Sequence, residues 1–434
     1  MTEDVRLMVT ELKRAAGFLL TRFSDLKLHL VHDSRRAAGK RWKLAVVLRT
    51  ALVGMMAGCK SVAEVEALTS NMSRALRLKL GIARRLPDTT LREILVRLEP
   101  DEVRAALHSL VHAASRRKAL ALSGFPFHVV SLDGKATSVP NWDDDYSQRQ
   151  TYDDGRQAHG LVRMVNACLI STAAKPVIDA LSVPSSTNEM GIFPEVFRQL
   201  LQSYGQLFRV VTYDAGVPSE ENCKLVVNAG KGFNFRIKNE NWHLHKEARR
   251  RLGSRTPETA EAVTEDIDAK KTKVSTVRRV FTCEAPALSF IWSTVKTLVR
   301  VNVQHLEAGQ VTSDEDKFYI SSLKQNELTA EQWLRIARGH WGIENNVHWV
   351  LDAIFREDKR PWIETAPKGT VVVNVLRRIA LSMLALFRQA LMRRDEDRAI
   401  EWRVLLDWIY RAATAVSEEL LEALRPRTTT SAEN

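Results

Sequence analysis

The hydrophobic pattern of this chain changes period near Pro126, and that change limits what each part can become. From residue 1 to about 120, apolar residues recur at helical spacing among Ala, Leu, Arg and Glu, all good helix formers. Beyond Pro126 the pattern shortens into β-branched and aromatic runs: Phe127 to Leu132, Leu161 to Ser171, Val177 to Val183, Arg209 to Tyr213 and Phe233 to Ile237. One helical stretch, about Pro194 to Ser203, lies among them. Strands interrupted by a helix in this order predict an α/β sheet of mixed strand direction.

Local signals subdivide the chain further. Ser61-Val-Ala-Glu64 is a capping-box pattern, and Pro87-Asp88 opens another helix. Leu252 to Asp314 is polar and β-rich, as an insertion into the core would be, and its limits are set at about 240 and 315. Thr329 to Phe355 returns to helix, followed by amphipathic helices over Val371 to Arg394 and Ile400 to Leu424. The last ten residues, ending at Asn434, read as a disordered tail. The expected domains are therefore 1–120, helical; 121–395, α/β with its insertion; and 396–434, a helix and tail.

Charge narrows the partners. Lys and Arg outnumber Asp and Glu by 64 to 52, a formal net charge of +12, which suits a polyanion such as nucleic acid. Basic residues crowd the helix junctions: Arg35, Arg36, Lys40 and Arg41, then Arg84 and Arg85. These are candidate DNA contacts, with solvated helix faces as the plainer alternative. Cys59, Cys168, Cys223 and Cys283 are scattered and form no C-x-x-C pair, so neither a disulfide framework nor a zinc knuckle is indicated, and a reducing cytoplasm fits. Neither a signal peptide nor a membrane segment is expected: charges interrupt the N-terminal apolar stretches, and Leu44 to Met56 is too short to span a bilayer.

Three carboxylates stand where a sheet-based active site would want them. Asp133 ends the run Ser131-Leu132-Asp133-Gly134-Lys135, and Asp214 ends Val210-Val211-Thr212-Tyr213-Asp214. Each alone reads more readily as a turn or a helix cap. Glu344 sits on a helix beside the apolar stripe Ile343, Val347, Val350, Leu351 and Ile354, from which it could point along the sheet. Converging carboxylates raise one another's pKa unless cations lie between them, and a pair of magnesium ions would supply phosphoryl-transfer chemistry. The chain has no G-x-x-x-x-G-K phosphate loop, so nucleotide energy is not implied.

These motifs carry a resemblance. Asp133-Gly134-Lys135, Thr212-Tyr213-Asp214-Ala215, Phe318 to Leu323, and the long run from His340 through Asp352 to Phe355-Arg356-Glu357-Asp358 resemble those of the H-repeat-associated DDE insertion-sequence transposases. The helical region, with Asp33-Ser34-Arg35-Arg36 and Leu86 to Thr90, is similar to the domain that accompanies them. Ser186-Thr187-Asn188-Glu189 and Ile237 to Asn241 stand where relatives often read K-S-N-E and L-K-G-N-Q.

The resemblance implies a ribonuclease H-like catalytic core with a β-rich insertion, preceded by an all-helical domain. It implies Asp133, Asp214 and Glu344 as catalytic metal ligands, Mg2+ as cofactor with Mn2+ as a substitute, and DNA cutting followed by strand transfer. The implied partners are double-stranded DNA, the terminal inverted repeats and target DNA, with two copies of the chain in the synaptic complex. Lys135 is placed to touch a phosphate, and Asn345 and His348 to orient DNA or the glutamate.

Three other readings stay open. His340, Glu344 and His348 lie at i, i+4 and i+8 and invite a zinc site, although no H-E-x-x-H motif accompanies them. A DNA-binding protein descended from a transposase, and a nuclease that cuts without joining, share most of the features above.

Overall fold

The computed structural model describes residues 3–36, 40–142, 144–153, 157–214, 216–238, 242–268, 273–285, 292–393 and 399–422. The tail expected over the last ten residues lies outside them.

The helical period of the first part forms α1 (Glu3–Arg22), α2 (Leu44–Met56), α3 (Val62–Asn71), α4 (Arg74–Lys79), α5 (Asp88–Arg97) and α6 (Pro100–Arg116). The capping pattern at α3 is present: the Ser61 hydroxyl accepts from the Glu64 N–H at 3.1 Å, while Glu64 reaches back to the Lys60 N–H at 2.9 Å. α2 is apolar almost all round and buried, and Gly54 lets it approach α3 closely, since a Cβ there would lie 2.6 Å from Val65 Cγ2.

The sheet begins with β1 (Val129–Val139), β2 (Gln148–Gln150), β3 (His159–Leu169) and β4 (Val177–Val183). After α7 (Phe193–Tyr204) come β5 (Val210–Tyr213), α8 (Glu220–Asn228), β6 (Gly232–Ile237) and α9 (Trp242–Leu252). β1, β5 and β6 run parallel in that order, β3 lies antiparallel to β1, and β4 pairs with β3. The mixed sheet read from the sequence is therefore present.

The expected insertion departs from its predicted form. β7 (Ala262–Ile267), β8 (Val274–Glu284), β9 (Thr297–Glu307) and β10 (Gln310–Ser321) extend the same sheet, because β10 pairs with both β9 and β6. Residue 315, the limit read from polarity, falls inside β10. The strand is exposed as far as Asp316 and buried from Lys317 to Ser321, and Phe318 to Ser321 pair with β6, so the change in polarity falls close to where β10 joins the strands of the core.

The late helices are α10 (Ala330–Ile343), α11 (Trp349–Ala353), α12 (Pro367–Met392), α13 (Trp402–Ala415) and α14 (Glu418–Glu422). α12 starts on a proline, whose fixed φ and missing N–H suit a first helical turn. It is long and apolar enough to cross a membrane, but 94% of its apolar window is buried against protein. It packs on α2, α5 and α6 and also on β3 and β4, so it joins the helical part to the sheet.

One buried ion pair pins that junction. Arg104 of α6 donates to both oxygens of Asp179 on β4, at 2.5 and 2.6 Å, and His108 Nε2 lies 2.9 Å from the same carboxylate. Burial pushes Asp179 up, but the hydrogen bonds from His108 and Arg104 outweigh it and hold the carboxyl at about 2. Because the folded pKa is depressed, this contribution is present above the ordinary aspartate range and fades as pH falls from about 4 towards about 2. Asp179→Asn should cost about 3–5 kcal/mol at neutral pH, because it strands the Arg104 charge. Urea unfolding at pH 7 and at the acid end checks this: the gap between wild type and variant should shrink with acid, and a gap under about 1 kcal/mol at pH 7 would refute it.

Candidate active site

Strand register brings the first two acids together. β1 and β5 are parallel neighbours with Ser131 opposite Thr212, so two places further on Asp133 and Asp214 stand at the same level. Asp214 follows the last residue of β5, as expected. Asp133 does not end its strand: β1 runs on to Val139, and Gly134 makes no turn. Glycine inside a strand often marks a close approach, and here a Cβ on Gly134 would lie 1.9 Å from Glu189 Oε2.

Glu189, from the segment between β4 and α7, is therefore a fourth acid packed against β1 next to Asp133, and its charge adds to those that raise Asp133. In the sequence its only signal is its place in the run Ser186 to Glu189, which gives it no role, and nothing in spacing marks it. Burial pushes its carboxyl above the usual range, partly offset by Arg163.

The third expected acid, Glu344, is exposed on a π-helical turn, Glu344–His348, set between α10 and α11. Here the Trp349 N–H donates to the Glu344 carbonyl, five residues back, and such widened turns recur at functional sites. Burial, joined by the charges of Glu344, Glu189 and Asp214, pushes the Asp133 carboxyl up to about 8. Its main opposing contact is the Gly134 N–H, which donates to Asp133 Oδ1 at 2.9 Å. Beside Asp214 stand Arg236 Nη1 at 3.6 Å and Lys238 Nζ at 3.5 Å, cations that no sequence motif singled out as site residues.

Lys135 occupies a different place from the one expected. Its side chain is buried, and its ammonium donates to Asp352 at 3.0 Å and Asp358 at 2.9 Å instead of facing a phosphate. His348 likewise faces inward, with Nδ1 3.6 Å from Asp133 Oδ2 and Nε2 3.2 Å from Asn166 Nδ2. Asn345 is exposed and lines a cleft of about 520 Å³ with Lys175, Arg278, Arg335 and Trp341. The His340 side chain lies outside the described residues.

Among the described residues no three His, Cys, Asp or Glu side chains are gathered closely enough to hold an ion as they stand. The donor set nevertheless fits a hard divalent cation. All its members are carboxylates, and a positive charge between them would relieve the repulsion that adds to burial in raising Asp133.

Of the expected DNA contacts, Arg35 is turned inward, bonding Asp33 at 2.8 Å and the Trp42 carbonyl at 2.7 Å. Arg84 lies over the Trp42 ring at 4.8 Å, and Arg85 bonds Glu66. Trp42 thus joins the two basic junctions into one surface, on which Arg36, Lys40 and Arg41 are exposed.

Acids on adjacent parallel strands, faced by a glutamate on a late helix, define the DDE class of architecture. The model of the transposase DDE domain matches residues 126–367, more than half of the chain, so the chain belongs to that family. The model described as DDE_Tnp_1-associated matches residues 26–111. The H repeat-associated protein YhhI of Escherichia coli strain K12 is 26% identical over 237 residues, 53% of this chain and 57% of that protein. YbfL of the same strain matches to the same extent, and YncI of Escherichia coli O157:H7 is 23% identical over 59% of this chain and 61% of its own. The resemblance to the H-repeat-associated type is thus shown, and the chain spans somewhat over half the length of these relatives. A piggyBac transposase in a synaptic complex with hairpin DNA aligns over 96% of this chain and 82% of its own, at 11% identity and a TM-score of 0.44.

Gly134→Ala should displace the Glu189 carboxylate from its place against β1 while leaving the core intact, because the displaced atoms are the end of a flexible side chain. We expect a melting temperature within a few degrees of wild type and, for the metal-dependent DNA cleavage proposed below, a loss of about 100-fold, the scale of an ångström misplacement. Undiminished cleavage in this variant would remove Glu189 from the site.

Proposed function

We propose that the chain is a magnesium-dependent transposase that cuts the ends of an insertion-sequence element and joins them to target DNA by two-metal-ion phosphoryl transfer. The observation that carries this reading is the convergence of Asp133, Asp214 and Glu344, with Asp133 raised by burial and then by the charges of Glu344, Glu189 and Asp214. The strand order, with antiparallel β3 beside the parallel β1, β5 and β6, supports a ribonuclease H-like core. DDE transposases generally use divalent metal ions.

In this reading Asp133, Asp214 and Glu344 hold the ions, Mg2+ or Mn2+ in its place. Magnesium held there would supply Lewis acidity for the attacking and leaving oxygens. The chain's own residues set the geometry. β1 and β5 fix the two aspartates at one level, and the Gly134 N–H orients Asp133. Lys135 ties β1 to α11 and the segment after it through Asp352 and Asp358, which keeps Glu344 over the sheet. Arg236 and Lys238 stand where they can receive phosphate charge beside Asp214.

We assign residues 1–120 to binding the terminal inverted repeats, 121–395 to catalysis with its strand insertion, and 396–434 to the C-terminal helices and tail. We further assign the work to a pair of chains holding two DNA ends, in the cytoplasm on nucleoid DNA.

Asp133→Asn and Glu344→Gln should each abolish magnesium-dependent cleavage of DNA carrying the element's ends while leaving gel-shift binding within about twofold, since they remove a ligand charge and little volume. Binding without cleavage by the wild type would favour a DNA-binding protein descended from a transposase, and cleavage without joining a nuclease. A second check concerns the basic surface. Lys40→Ala with Arg41→Ala should weaken binding to all sequences and lower the slope of log K against log salt by about 2, one for each phosphate that is no longer neutralised. An unchanged slope would place the DNA elsewhere.

A further inference from the structure

A chain of polar groups leads from the core to His348 beside Asp133, and every hydrogen bond in it has a direction. Glu357 and Arg378 are fully buried, and Arg378 Nη2 donates to Glu357 Oε1 at 2.9 Å while Nη1 donates to Oε2. Arg378 Nε donates to Asn166 Oδ1 at 2.9 Å. A guanidinium has donors and no acceptor, so this bond settles which end of the Asn166 amide is oxygen. Asn166 must therefore present its NH2 to His348, 3.2 Å from Nε2. That NH2 can only donate, so Nε2 accepts, and the ring proton belongs on Nδ1.

Nδ1 faces Asp133. Asn166 on β3 stands directly opposite Asp133 on β1, so the same strand pair sets the far end of the histidine and the carboxylate it meets. The separation from Nδ1 to Asp133 Oδ2, 3.6 Å, is longer than a hydrogen bond. Bonds of this kind are often long before substrate arrives and tighten in the complex.

We propose that His348 is a positioning residue for Asp133, locked with its proton on Nδ1 by the donor chain that runs from Arg378 through Asn166. Glu357 orients Arg378 and keeps its charge in the core. The catalytic consequence rests on the reading of Asp133 as a metal-holding acid, while the tautomer stands on hydrogen-bond direction alone. The Glu357 of the Phe355 to Asp358 motif thereby acquires a role at a distance from the acids, and Asp358 one as a partner of Lys135.

The test uses the full chain without metal, labelled with 15N in its 11 histidines, at about pH 8, where an ordinary histidine is neutral. The ring signal missing from His348→Gln is assigned to His348, and its long-range 15N–1H pattern is expected to show a proton on Nδ1. Asn166→Asp replaces the NH2 with an oxygen that accepts, so a proton should appear on Nε2. A wild-type ring protonated on Nε2 overturns the proposal, as does an Asn166→Asp ring still protonated on Nδ1 only. If Asn166→Asp does not fold, the wild-type pattern decides alone.

Positioning is read separately. Asn166→Leu should weaken manganese binding and slow cleavage by about 10–100-fold, as loss of a partner behind a metal-holding group does, with DNA binding unchanged. His348→Gln, which keeps a donor towards Asp133, should retain more activity than His348→Ala. Equal losses would leave His348 with a purely structural role and overturn the positioning claim. A wild type that binds no manganese and cuts no DNA would sink the transposase reading and leave the Nδ1 assignment standing.

Discussion

The pairing of Glu357 with Arg378 is the contact on which the interior of this chain depends. Both side chains are wholly buried, with Arg377, also buried, 3.9 Å from the same carboxylate. Ions taken out of water are tolerable only when their partners are complete, and removing one partner costs far more than the pair contributes. Burial works against the Glu357 charge, and Arg378 and Arg377 more than compensate, bringing its pKa below the usual range. Arg378 completes its bonding with Asn166 and the Asn374 carbonyl, and Arg377 with the Asn374 side chain and the Arg360 carbonyl. The segment after α11, the middle of α12 and strand β3 are thereby fixed to one another.

From that anchor a polar stripe runs along one face of β1. Asp133, Lys135 and Thr137 alternate with residues on the other face, as a strand requires. Each meets a different late element: His348 on the π turn, Asp352 and Asp358 around α11, and Asn374 on α12. The strand thus positions the helical layer through polar contacts that tolerate little sliding, whereas apolar packing alone would leave register loosely specified. The same face that gathers acids also holds the elements that carry them.

Much of this was legible in the sequence, and the limits follow from physics. The change of period at Pro126 separated helices from sheet because burial of an apolar face imposes its own spacing on each. Asp133, Asp214 and Glu344 were candidates because they sit in motifs, and strand pairing sets the two aspartates at one level. Lys135 was misplaced because a lysine beside an acid looks like a phosphate contact until Asp352 and Asp358, distant in the chain, are seen around it. Glu189 and Arg378 were not singled out for a related reason, since a role set by partners in three dimensions leaves no local period. The limit read near residue 315 falls inside β10 because that strand changes from exposed to buried partway along, and polarity reports surroundings and not strand ends.

The π turn at Glu344 to His348 puts an unusual demand on chain length. It is an α-helix holding one residue more than its hydrogen-bond ladder needs. Removing a residue between Ile343 and Trp349 would let the ladder close regularly from α10 into α11, locally an improvement. It would also rotate everything beyond by about 100°, the angle each residue subtends in an α-helix. Asp352 would swing off Lys135, and the link from β1 to the buried arginines would be out of register. In this stretch the more ideal helix is the defective one, so a local gain in regularity and the assembly of the site are opposed.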